Sequence, residues 1–285
     1  MSTSAKTLSI DQVLKGKLMF EDGGVRLKRV AITRQVSPSI GRCELTHLAR
    51  EVINVAVARE QHRQYESCLA DLGCQVHRLP LEPELPDSVF VEDAAIVLDD
   101  VAIITRPGAE SRRRETASVA KALQAYRKLC HIEPPGTLDG GDVLRVGKKM
   151  YVGLSGRSSR AGIEQLCGFV EPLGYTVAAV EMAGCLHLKS AVTQVGGNTL
   201  LVNRAWVDVS AFEGMELVDV APTEPMGGNA LLVGEAVVYP MAYVKTRERL
   251  EGRGIEVRAV DVSELAKAEG GVTCCSLIFD PNRTI

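Results

Sequence analysis

Five stretches of this sequence are built on one pattern. Residues 89–105, VFVEDAAIVLDDVAIIT, give a β-prone run, an Asp99–Asp100 turn and a second β-prone run. Residues 137–154, TLDGGDVLRVGKKMYVGL, repeat it about a Gly147–Lys148 turn. QVGGNTLLVN (194–203), MGGNALLVGEAVVY (226–239, turning at Gly234) and GGVTCCSLIF (270–279) follow. Four of the five carry Gly-Gly just ahead of a β-prone run, and the first has Glu92–Asp93 where the second has Gly141–Asp142. Amphipathic helical periodicity covers residues 49–72, 111–126, 159–173 and 242–253, and more weakly 206–213. Connecting strands are expected at 30–33, 76–79, 176–180, 217–220 and 257–260. Self-similarity at a period of tens of residues marks a repeat architecture whose units cannot bury a core alone. Five such α/β units do so when arranged radially, inner strands around an axis and helices outside. An ordinary open α/β sheet with coincidental glycines is the alternative.

A chain of 285 residues can bury a substantial core. A formal net charge of −3 gives no reason to expect nucleic acid or an anionic membrane as a partner. No apolar run is long enough to span a bilayer, and the opening MSTSAKTLSIDQ lacks the apolar core of a signal peptide. The eight cysteines show no CxxC spacing, and the near pairs Cys130–His131 and Cys185–His187 lack the other half of a zinc site. Reduced thiols in a cytoplasm are expected, with no metal. Residues 1–28 are set apart as an N-terminal extension, with a small helix around 11–20, ahead of one catalytic domain over 29–285. The turn-rich segment 37–41 has the character of a mobile loop over a site.

If the units are radial, equivalent positions meet at the axis. They carry Asp87, Glu92 and Asp93, then Asp139 and Asp142, then His187, then Cys274, with Arg112 and Arg157 close by in sequence. A Cys–His pair is the usual constellation for nucleophilic catalysis. The additional acids suit a cationic substrate, since paired carboxylates hold a planar guanidinium. Neighbours on a strand face opposite ways, so one of Cys274 and Cys275, and one of Glu92 and Asp93, can line the site. Each member also has a bland explanation: His187 as a satisfied core histidine, Arg112 in SRRRE as part of a solvated face, Arg157 as surface. A cation at a helix start opposes the helix dipole, so Arg112 needs a compensating partner.

The motifs PDSVFVED (86–93), TRPGAESRR (105–113), TLDGGDVL (137–144), VGLSGR (152–157), LHLKS (186–190) and TCCS (273–276) together resemble dimethylarginine dimethylaminohydrolases, in order and at matching spacing from about residue 30 to 279. The resemblance implies a five-bladed α/β propeller (pentein) of ββαβ units. It implies hydrolysis of dimethylarginine and monomethylarginine to citrulline and the free amine through a covalent Cys thiouronium intermediate, without cofactor or metal. It assigns Cys274 as nucleophile, His187 as general acid/base and Asp139 as the acid beside it. Asp87 and Asp93 resemble the guanidinium-binding acids, with Glu92 adjacent, and Arg112 and Arg157 the clamp for the α-carboxylate. Leu45 falls at a lid position that meets the α-amine, and Ala268 where a backbone carbonyl touches substrate. The N-terminal extension and the lid sequence GRCELTH depart from the family pattern. An arginine deiminase or dihydrolase, an amidinotransferase, and a non-catalytic binding protein on the same fold are the rival expectations. The expected partner is a small methylated arginine, and the assembly state, homodimer included, is left open.

Overall fold

In the computed structural model, which describes residues 29–281, the β-prone runs pair into five three-stranded sheets. Strand β3 (Ala95–Val97) pairs antiparallel with β4 (Val101–Ile104), and β4 pairs parallel with β5 (Lys128–His131). The same order recurs in β6 (Val143–Val146), β7 (Lys149–Leu154) and β8 (Thr176–Glu181). It recurs in β9 (Val192–Gln194), β10 (Thr199–Val202) and β11 (Glu216–Asp219), and in β12 (Leu231–Val233), β13 (Ala236–Pro240) and β14 (Glu256–Val260). A parallel third strand requires a crossover. It is made by the helices Thr116–Leu123, Arg160–Val170 and Val244–Glu251 and, weakest of the set, the 3₁₀ turn Val209–Phe212. Two of the hairpin turns need a left-handed residue and have glycine there, Gly147 at φ 59° and Gly234 at φ 67°.

The fifth sheet joins the two ends of the described chain. β15 (Leu277–Phe279) lies antiparallel to β1 (Val30–Arg34), with Val30 opposite Phe279, and β1 runs parallel to β2 (Gln75–Leu79) across the helix Val55–Asp71. The ββαβ ring is thereby closed, as a five-bladed α/β propeller. Residues 30–33 are thus a middle strand rather than a connector. The connector the sequence concealed is β5, whose KLCH is half-exposed and shows no apolar alternation. The Gly196–Gly197 pair also differs from expectation: it sits between β9 and β10, and the helical turn Leu188–Ala191 is what precedes β9.

Helix boundaries moved for local reasons. The first helix begins at Val55 because the Asn54 side chain caps the amides of Ala56 and Val57, leaving residues 49–53 outside. The segment 111–126 opens as a 3₁₀ turn, Glu110–Glu115, before its α-helix. Ser37 and Ile40 are buried, so segment 37–41 is packed in rather than loose. The helix expected around 11–20, like the rest of 1–28, lies outside the described residues. Among the described residues no helix is long and apolar enough to cross a membrane.

The first strands of the blades line the axis. At one end they surround a cavity of about 390 Å³, reached by residues of β3, β6, β9, β12 and β15. The turns that precede these strands converge at the other end.

Candidate active site

Short turns ahead of the first strands carry the chemistry: Val91–Ala94 before β3, Gly140–Asp142 before β6, Leu188–Ala191 before β9 and the turn at 272–275 before β15. Their crowding explains a glycine. A Cβ on Gly141 would stand 2.6 Å from His187 Nδ1 and 2.8 Å from Asp93 Oδ1, so a side chain there would push the two apart.

Both adjacent pairs lie in these turns, not on strands as expected, yet each pair still divides between two sides. Cys274 faces a small polar pocket. Cys275 is 1% exposed, packs in the apolar cluster with Tyr65 and Val272, and donates from Sγ to the Gly271 carbonyl at 3.6 Å. Tyr65, on the first helix, fixes this turn by donating to the Val272 carbonyl at 2.8 Å and contacting Ser276 Oγ at 2.6 Å. Asp93 faces the same pocket as Cys274, whereas Glu92 points away from it. The Glu92 carboxylate accepts from Lys189 Nζ at 2.5 Å and Thr273 Oγ1 at 2.7 Å, forming the floor between the pocket and the axial cavity.

Of the residues singled out in the sequence, Cys274, His187, Asp87, Asp93, Arg112, Arg157 and Ala268 line one pocket. Three do not. Glu92 is behind Cys274. Leu45 packs on the apolar cluster that includes Tyr65, and its neighbour Glu44 takes the place at the pocket wall. Asp139, fully buried, stands behind the histidine, its Oδ2 3.0 Å from His187 Nε2. Asp142 accepts from Leu188 N, Ser155 Oγ and Ser158 Oγ, and so anchors the backbone that carries His187.

Arg112 is buried, and its partners are those the helix-dipole conflict called for. Nη1 donates to Asp93 Oδ2 at 2.6 Å, Nη2 to Glu115 Oε2 at 3.0 Å and to the Phe90 carbonyl at 3.2 Å. Arg157 is different. Nη2 reaches Thr46 Oγ1 at 3.1 Å, while the buried Nη1 has no hydrogen-bond partner, though Asp139 lies 3.9 Å away. A half-buried guanidinium with a buried spare donor is poised for an anion.

The electrostatics divide the groups sharply. Burial works to lower the His187 pKa, but Asp93, Asp139 and Asp142 outweigh it and lift it to about 9, so the ring is an imidazolium at neutral pH. Burial works to raise Asp93, but His187, Arg112 and the Gly141 amide bring it down to about 2. Cys274 is pushed up to about 12 by burial and then by Glu92 and Asp93, against the Gly271 N–H that donates to its sulfur at 3.3 Å. Asp87 is raised by burial, with Arg112 and the Glu44 amide opposing. The resting site therefore pairs a neutral thiol with a charged histidine and excess acid. Ligand atoms of Asp93, Asp139 and His187 lie within 4.8 Å of one another, close enough for a metal. That acidity is already answered by Arg112 and the imidazolium, and a metal needs a neutral ring.

Sequence reasoning missed Glu115, Glu44 and Glu269. Glu115 gives a weak signal as the acid three residues after Arg112. Glu44 and Glu269 sit in irregular loops, where no periodicity could mark them.

A cysteine–histidine–carboxylate centre at the axis of a five-bladed α/β propeller, with acids for a cation and a guanidinium with a spare donor for an anion, defines a guanidine-modifying hydrolase. A family described as eukaryotic N,N dimethylarginine dimethylhydrolase matches residues 44–279. The N(G),N(G)-dimethylarginine dimethylaminohydrolase of Streptomyces coelicolor is 41% identical over 87% of this chain and 95% of its own. That of Pseudomonas aeruginosa is 36% identical over 82% and 92%. A solved structure of the Pseudomonas aeruginosa enzyme, a cysteine-to-serine mutant complexed with citrulline, superposes with a TM-score of 0.84 at 34% identity, covering 89% of this chain and all of that one. The N-terminal domain of a cyanobacterial arginine dihydrolase shares the fold, with a TM-score of 0.80 at 17% identity. The chain belongs to the dimethylarginine dimethylaminohydrolase family.

Proposed function

We propose that this chain hydrolyses N(omega),N(omega)-dimethyl-L-arginine and monomethylarginine to L-citrulline and the methylated amine, with Cys274 as nucleophile and His187 as general acid/base. The observation that carries the assignment is the meeting of Cys274, His187, Asp87 and Asp93 in one pocket that also holds Arg157 with an unpaired donor. Asp87 and Asp93 hold the guanidinium and keep it protonated, hence electrophilic at carbon. Its positive charge offsets the acids that hold the thiol protonated, so substrate binding itself favours thiolate, the thiol proton leaving to solvent. Sulfur attacks the guanidinium carbon, and His187 gives its proton to the departing amine, which leaves poorly as an anion. Neutral His187, held by Asp139, then takes a proton from water. The resulting hydroxide adds to the thiouronium carbon, the Cys274 thiolate departs, and the hydroxyl proton passes to that thiolate as neutral citrulline forms. Neither a metal nor an organic cofactor enters any of these steps. In this proposal residues 29–285 act as one catalytic domain, and eight free cysteines fit a reducing cytoplasm.

Arg112 spends most of its donors on protein acceptors, so the α-carboxylate falls mainly to Arg157. A lysine cannot copy a planar, two-pronged contact. Arg157→Lys is expected to raise KM for dimethylarginine by about tenfold or more, the scale of one charged hydrogen bond. A dimethylguanidine lacking the carboxylate should be turned over equally by both proteins. Equal losses on both substrates would place Arg157 elsewhere.

The whole assignment is tested by product analysis. Two N-methyl groups cannot donate hydrogen bonds, and Phe90, Leu186 and Ala268 give the pocket apolar wall beside its acids. Dimethylamine release from dimethylarginine should exceed ammonia release from arginine by about an order of magnitude or more in kcat/KM. Equal rates would make the chain an arginine deiminase with the same Cys–His chemistry.

A further inference from the structure

The pocket that Cys274 shares with His187, Asp87 and Asp93 is shut, although Cys274 also borders a separate groove of about 200 Å³ beside Leu48, Asn229 and Met241. The shut pocket has a free volume of about 10 Å³, room for no more than one water. An amino acid cannot enter unless part of the wall moves. One part is suited to move: residues 44–50 form neither helix nor strand and are almost all exposed. The segment is tethered at its ends, by buried Cys43 on one side and by Arg50, which donates to the carbonyls of Gly41 and Cys43 at 2.6 Å.

Between the tethers, three grips hold it over the pocket. The Glu44 amide donates to Asp87, both oxygens at 3.2 Å. Arg157 donates to Thr46 Oγ1 at 3.1 Å. The third is Glu269, whose carboxylate accepts from three successive backbone amides, Thr46 at 3.0 Å, His47 at 2.5 Å and Leu48 at 2.6 Å. Consecutive N–H groups converging in this way form an anion-binding nest, here filled by the protein's own side chain. A second observation marks the same residue. Glu269 has φ 57°, the one positive value at a non-glycine among the described residues. A glutamate kept in a conformation that favours glycine is held there by its surroundings.

We propose that Glu269 is the latch of the substrate gate: its carboxylate holds segment 44–50 closed over Cys274 and governs how firmly a bound substrate is retained. The retention half rests on the dimethylarginine assignment above. Asp87 and Arg157 grip the segment with the groups that the guanidinium and the α-carboxylate claim. Substrate therefore competes with both grips. Neither of those two substrate groups claims Glu269, whose carboxylate is committed to the three amides, so it is the grip that still closes the gate on an occupied pocket.

Two full-length variants test this. Glu269→Gln keeps the size and removes the charge. Glu269→Gly removes the grip and suits the backbone conformation, so loss of folding does not obscure the result. With iodoacetamide as probe and peptide-resolved mass spectrometry as readout, Cys274 should be labelled about tenfold faster in both variants, with buried Cys275 unchanged. KM for dimethylarginine should rise by about the same factor while kcat stays within about threefold. Cys274 labelling within about twofold of the parent in both variants overturns the latch. Faster labelling with an unchanged KM overturns its part in retention. A parent protein that makes no citrulline would sink the functional assignment instead, and the labelling comparison would still decide whether Glu269 holds the gate.

Discussion

Cys274→Ser should abolish citrulline formation from dimethylarginine, while Cys275→Ser should keep most of it. The two sulfurs are one residue apart and have opposite surroundings. Cys274 opens on the pocket with His187 and Asp93, and the Gly271 amide points at its sulfur. Cys275 is sealed among Tyr65, Val272 and their neighbours. Its thiol is likewise raised, by burial and then by the adjacent Cys274, Glu92 and Glu66. Serine at 274 preserves the shape and the Gly271 contact but lacks a nucleophile that a nearby cation can ionise. Serine at 275 places a hydroxyl in an apolar cluster beside the Gly271 carbonyl, which remains available as a partner. Its cost belongs to stability, about 1–3 kcal/mol if the hydroxyl stays unpaired, and appears as a lower Tm. Activity measured on folded protein, with Tm recorded for both, separates the effects. Comparable loss of turnover in two folded variants would remove Cys274 from the role.

The different fates of the two cysteines show where the sequence was legible. The repeat was readable because each blade supplies a short apolar hairpin and, in most blades, a helix of clear period. β5 was not, because an edge strand with Lys128 and His131 at its ends carries no alternation. Closure of the ring by β15 against β1 was equally hidden, since it pairs residues some 250 positions apart, as Val30 with Phe279. The axial residues could be found because their types are rare in such turns and their motifs are co-linear. Their orientation could not. Period-2 reasoning separated Glu92 from Asp93 and Cys274 from Cys275 correctly, but through a strand that does not exist there; tight turns did the separating. The burial of Arg112 was partly foreseeable, because a cation at a helix start needs an acid. The engagement of its donors by Asp93 and Glu115, which leaves Arg157 with the spare donor, depends on side-chain packing alone. Leu45 illustrates the limit in loops, where a shift of one residue puts Glu44 at the pocket and Leu45 against the edge of the apolar cluster.

Loss of the acid should be nearly as severe as loss of the nucleophile. His187→Gln is expected to lower kcat for dimethylarginine by about 10²–10⁴-fold, the usual range for a positioned proton donor. The signature that separates this role from a structural one is its pH dependence. The ring carries its proton up to about pH 9 because Asp93, Asp139 and Asp142 overcome the effect of burial. NMR titration of the His187 ring should place its pKa near that value, and kcat/KM should decline as pH rises through it. Asp139 lies 3.0 Å from Nε2. Asp139→Asn should therefore move both the titration and the decline to lower pH. Stability follows with a definite sign. A folded pKa raised above the ordinary histidine value of about 6.5 means that the stabilisation is fully present below that pH. It is lost as pH rises toward 9, so the folded protein should weaken over that window, and less so in Asp139→Asn. A substrate analogue whose leaving group departs as a thiolate needs no proton from His187. On that analogue His187→Gln should slow formation of the covalent intermediate far less than on dimethylarginine. An equal loss on both would mean that His187 shapes the pocket rather than delivering the proton.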